Sequence, residues 1–170
     1  MKMKLPITNW LRATCPILLA GLLLGADRPT VEVAIADTTG SRSVEKDTQA
    51  SVVRDYLAAW HAMGQTMEQN QPELLNAFFV GVAKDKLAET VRAQQNLGIQ
   101  SAYQEQSHHL QIVFYSPEGL SIQLLDDVEY DLVIGKHGKT LGTQHVRTRY
   151  VAVLTPTESK WKVRIFQGGS

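Results

Sequence analysis

The chain has one cysteine, and it falls at position 15, inside the N-terminal segment. The remainder therefore carries no disulfide framework, no cysteine-ligated metal and no thiol nucleophile. An excess of charge of one sign is also missing, since 17 Lys and Arg are balanced by 17 Asp and Glu. A general nucleic-acid binder needs a basic excess to displace counterions, so no nucleic-acid partner is expected. The glycines form no phosphate-binding loop, and Ser107, Ser116 and Ser121 lie in no nucleophile-elbow context. His108 and His109 are neighbours, which a strand would point to opposite faces, while His61, His137 and His145 fall on other elements. Zinc needs three or four convergent ligands, so no metal and no cofactor is expected.

What is present begins with an export pattern. Lys2, Lys4 and Arg12 form a positive region, Pro16 to Ala26 an apolar core, and Ala34-Ile35-Ala36 a small-x-small processing site. The charged stretch from Asp27 to Glu32 leaves processing near Ala26 as an alternative. The apolar run falls short of the roughly 20 residues a membrane-spanning helix needs. The expectation is a signal peptide or N-terminal anchor over 1–36, a disordered linker over 37–46 and a folded domain over 47–170. The domain would be periplasmic or secreted. It would face the periplasm from the inner membrane, and touch a membrane, only if the segment stays uncleaved.

From Asp47 the chain turns helical, with Asp47, Thr48 or Ser51 as N-cap. Val53, Tyr56, Leu57, Trp60, Met63 and Met67 recur at helical spacing and mark one apolar stripe. Pro72 suits the first turn of a second helix running to Val80 and capped by Gly81. A third helix from Val82 presents Leu87, Val91 and Leu97, and Gly98 ends it.

Alternation then takes over, with Leu110, Ile112 and Phe114 on one strand and Leu120 to Ile134 on the next. Pro117-Glu118-Gly119 and Lys136-His137-Gly138 each suggest a three-residue turn closed by a left-handed Gly. These turns set Phe114 opposite Ile122, Ile112 opposite Leu124 and Leu110 opposite Asp126. On the far side they set Val128 opposite Val146, Leu124 opposite Tyr150 and Leu120 opposite Leu154. The other face then places Asp127 across from Arg147 and Glu129 across from His145, opposite charges on one ladder.

Three N-terminal helices followed by a curved four-stranded antiparallel meander give an α+β chain that resembles the NTF2-like superfamily, in which helices pack into a cone-shaped sheet. The run from Leu74 through Leu87, Gln95, Gly98 and Tyr103 to Leu110 also resembles the non-catalytic domains of division proteins. Periplasmic domains of secretion-channel subunits share the fold. The resemblance implies protein contact in these relatives, whereas other members of the superfamily are dehydratases, isomerases or small-ligand binders.

Two sets of residues follow from the register. On the inner face, Asp126 interrupts an apolar run. With His108, Tyr130, Gln144, Thr148, Tyr150 and Trp60 it outlines a pocket for a small apolar ligand. If the chain were an enzyme of lyase or isomerase type, Asp126 and His108 would be its acid/base pair, since burial and pairing move both toward neutrality. A bulge at Asp126-Asp127 would instead turn both carboxylates outward. On the outer face, Arg147, Arg149, Val151, Val153, Arg164 and Phe166 combine Arg, aromatic and aliphatic groups as docking surfaces do. The first expectation is a non-enzymatic exported domain that works through protein contact, with a protein partner or with itself as a weak homodimer.

Overall fold

The computed structural model describes residues 28–36 and 42–169. The elements run β1 (Thr30–Ile35), α1 (Lys46–Gln69), a 3₁₀ helix (Pro72–Ala77), α2 (Gly81–Leu97), β2 (Gln100–Tyr115), β3 (Ile122–Lys136), β4 (Lys139–Pro156) and β5 (Trp161–Gly168). They form one five-stranded sheet in the order β1-β2-β3-β4-β5, with helices against one face. The architecture is α+β, as expected, but with a fifth strand: β1 pairs in parallel with β2. The sheet thus takes in residues that the sequence reading places in the leader. Of that leader, 1–27 lie outside the described residues, as do 37–41 of the linker. No helix among the described residues is long and apolar enough to cross a membrane.

The helical half differs in detail. The second helix is 3₁₀ and stops at Ala77, after which Val80 donates to Val163 and Val163 donates back to Phe78. Gly81 is no cap; it opens α2 with φ of +54°. The N-cap of α1 is Glu45, upstream of the expected candidates. The stripe itself is in place, with Tyr56, Trp60, Met63 and Met67 buried against the sheet.

The register differs in an instructive way. The first turn has four residues, so that Ser116 receives the partner Ser121, and a bulge between Ile112 and Phe114 compensates for the extra one. Ile112–Leu124 and Leu110–Asp126 therefore pair as read, but Phe114 pairs with Gln123 on the outer face and Tyr115 replaces it inside. Leu120 lies in the turn, 63% exposed, and not in the core. The second turn is tight: Lys136 pairs with Lys139 across His137 and Gly138, whose φ values of 50° and 74° suit a type I′ hairpin. With a further irregularity at Ile134 the ladder is displaced by two residues, giving Val128–Thr148, Leu124–Ala152 and Ile122–Leu154. An even displacement keeps every side chain on its face and changes only its partner. Hence Asp127 meets Arg149, Glu129 meets Arg147 and Asp131 meets His145.

These face assignments predict an asymmetry between neighbours. Asp127→Lys, at a surface pair, should cost about 1 kcal/mol or less. Val128→Lys puts a charge where only 2% of the residue is exposed and should cost roughly 3 kcal/mol or more. Denaturant melts of the two variants check this, and equal losses would contradict the face assignment.

Candidate functional site

Tyr56 and Trp60 stand one turn apart on α1 and so project from one face toward the sheet. The Trp60 indole N–H donates to the Tyr56 hydroxyl at 2.8 Å, and that hydroxyl donates to Asp126 Oδ2 at 2.9 Å. The same oxygen receives His108 Nδ1 at 2.8 Å. Asp126 is therefore turned inward: the ladder is continuous through Asp126 and Asp127, without the outward bulge. All four residues are 0% exposed. Asp126 Oδ1 has no hydrogen-bond partner, an omission worth about 1–3 kcal/mol in a buried group.

A bulge does occur one strand over. Gln106 is extra between Glu105, which pairs with Tyr130, and Ser107, which pairs with Glu129. In a regular strand, residues three apart face opposite ways. The extra residue brings Glu105 to the side of His108, where its carboxylate lies 3.3 Å from Nε2. His108 is thus held between two carboxylates. Burial alone would lower its pKa, but the hydrogen bonds to Asp126 and Glu105 outweigh that and raise it to about 9. Burial, then the Asp126 charge, holds the Tyr56 hydroxyl well above its usual range. Glu105 was not legible from the sequence, because its position depends on that bulge. It is also the outlet of the network, since it lines an open cleft of about 770 Å³ with Arg28, His61, Gln104 and Asp131.

Of the expected pocket residues, Tyr130 and Trp60 are buried and Tyr150 is half-buried opposite Asp126. Tyr130 and Tyr150, together with Tyr103, Phe166 and His108, pack their rings around Trp60. The Trp60 ring lies 5.1 Å from Tyr150, 5.2 Å from His108 and 5.5 Å from Phe166, all edge to face. Burial, then the Tyr130 hydrogen bond, pushes Tyr150 upward, and burial first pushes Tyr103 to about 12. Thr148 pairs with Val128 and donates to the Gly169 carbonyl. Gln144 is exposed, opposite Leu132 and one inner row past Tyr130, so it lines no pocket with Asp126.

On the outer face, Arg149 makes two 2.7 Å bonds to Asp127, and Arg147 bonds Glu129 at 2.9 Å. The Arg149 hydrogen bonds hold Asp127 below the usual carboxylate range, and Arg147 does the same to Glu129. Val151 and Val153 are half-buried on this face and Arg164 is exposed. Phe166 does not lie on the outer face where the alternation places it. The ladder shifts between Val153–Ile165 and Leu154–Val163, which leaves Arg164 extra and reverses the faces beyond it. Phe166 consequently points inward, stacked on Tyr150 at 4.7 Å, and Ile165 takes its outer place beside Val153.

The raised His108 makes stability depend on pH. The charged imidazole stabilises the fold fully below the unfolded value near 6.5. That contribution is lost as pH rises through about 9, on the order of 3 kcal/mol in all. Thermal melts should therefore fall across that window in the natural chain, whereas His108→Gln should start lower and lack this part of the slope. An identical slope in the variant would remove His108 as its source.

No protein-family model and no curated protein sequence matches the chain. Solved structures do. The intermembrane-space region of the chloroplast protein ARC6 superposes with a TM-score of 0.62 at 12% identity, covering 75% of this chain and 98% of that one. A candidate scytalone dehydratase from Novosphingobium aromaticivorans superposes with a TM-score of 0.51 at 13% identity, covering 74% of this chain and 89% of that one. At such identities the likeness is one of fold, and the fold of this chain is NTF2-like.

Proposed function

We propose that the chain is an exported, non-enzymatic NTF2-like domain that works through protein contact, using its outer sheet face. The observation that carries this reading is a sheet face that no helix of the described residues covers, with an apolar end. Phe114, Gln123, Val153 and Ile165 lie in one row across four strands, with Leu125 and Val151 in the next. Phe114 is 38% exposed and the aliphatic residues are half-buried. At the other end, rows of ion pairs satisfy one another within the chain. The acid/base pair, by contrast, is fully buried beside the Trp60 ring, which supports the non-enzymatic reading. The positive region and apolar core near the N-terminus support a periplasmic or secreted location.

The partner this face suits first is a second copy, since a two-fold contact sets the same apolar row against itself. The arginines are already bonded to Asp127 and Glu129, so ion pairs across the axis add little and the pairing is weak. Light scattering should find mass rising with concentration, and Val153→Glu should weaken association by about tenfold or more, ~1.4 kcal/mol. A strict monomer at high concentration would remove the homodimer.

A second reading rests on the unpartnered Asp126 oxygen beside His108. A small ligand reaching that oxygen would convert the sealed pair into a binding or acid/base site. Native mass spectrometry of the purified protein separates the two. A bound small molecule that disappears in Asp126→Asn favours the pocket, and none in either form favours contact.

A further inference from the structure

Thr30–Ile35 reads TVEVAI, an alternating strand, and it pairs residue by residue with Ser107–Ile112. The pairing continues into Ala36, whose N–H donates to Ile112 at 2.8 Å, and the returning chain adds Arg42 N–H to Tyr115 at 2.9 Å. Glu32 meets His109 at 2.7 Å on the outer side. On the inner side Val31 stands beside His108 in the ladder and packs against the core. β1 is thus the side wall of the strand that carries His108 and Leu110, both within 1% of complete burial. Without it, β2 would become a long edge with unpaired backbone groups, open to water and to other chains.

The small-x-small run Ala34-Ile35-Ala36 lies inside this paired segment, so processing after Ala36 would discard the whole of β1. A parallel strand joined through a helix has no local replacement. We propose that any leader is removed upstream of Arg28, at or before Ala26, and that β1 is a permanent part of the mature domain, walling off His108. The leader part of the proposal rests on the export reading above; the structural part stands without it.

The test uses the full-length chain, produced in a bacterial host with a C-terminal tag. Intact mass and N-terminal sequencing of the periplasmic product should place its first residue at Asp27 or earlier. In hydrogen exchange on that product, peptides covering Val31 to Ile35 should be protected to within about tenfold of the facing β2 peptides. A mature chain beginning at Asp37, or a retained segment exchanging as a free peptide, would overturn the proposal. Retention of the unprocessed chain in the cytoplasm would count against export, and the exchange measurement would still decide whether β1 is part of the domain. In the full chain Val31→Asp should also raise diethyl pyrocarbonate modification of His108, mapped by mass spectrometry, and no change would contradict the wall.

Discussion

One carboxylate, Asp126, joins the two halves of this fold. Its Oδ2 receives the Tyr56 hydroxyl from α1 and the His108 imidazole from β2, while its own backbone belongs to β3. A buried charge without a partner is costly, so each of these groups is stable inside only because the others are there. The helix is thereby fixed in rotation and height on the sheet, more narrowly than apolar burial alone would fix it. The aromatic rings around Trp60 then pack on a frame whose geometry is already set.

That dependence separates two meanings of one pair of residues. A carboxylate beside an imidazole is what acid/base chemistry requires, and it is equally what a buried ion pair requires. Solvent access distinguishes them. Here the rings of Trp60, Tyr130, Tyr150 and Phe166 pack on the inner face, and Glu105 leads from His108 to an open cleft. The outer face has the opposite character, with no helix of the described residues over it and an apolar row at one end. Asp126 and His108 are thus wholly buried, while the ion pairs and the apolar row lie on the opposite face of the sheet.

The legible part of the sequence was the part that depends on parity. The turn glycines and the alternation assigned Asp126, Ile112, Leu124 and Val128 to the right face, because the β3–β4 ladder was misplaced by two residues and an even displacement keeps the face. For the same reason the opposite charges across that ladder could not reveal the misplacement: Asp127 finds an arginine in either register. The errors came from bulges. One extra residue at Arg164 brought Phe166 inside, one near Val113 exchanged Phe114 for Tyr115, and one at Gln106 delivered Glu105 to His108. Bulges answer to the curvature of the whole sheet, which no local pattern encodes. β1 is hidden for another reason: its alternation lies next to an export pattern and merges with it.

His108 is a sealed, charged clamp between Asp126 and Glu105. The most direct measurement is the titration of its imidazole nitrogens by ¹⁵N NMR in the purified domain. His108 should be an imidazolium through neutral pH, with both ring N–H groups hydrogen-bonded, losing its proton only near pH 9. A His108 that titrates between pH 6 and 7 like a free imidazole would show it open to solvent, and would contradict the clamp.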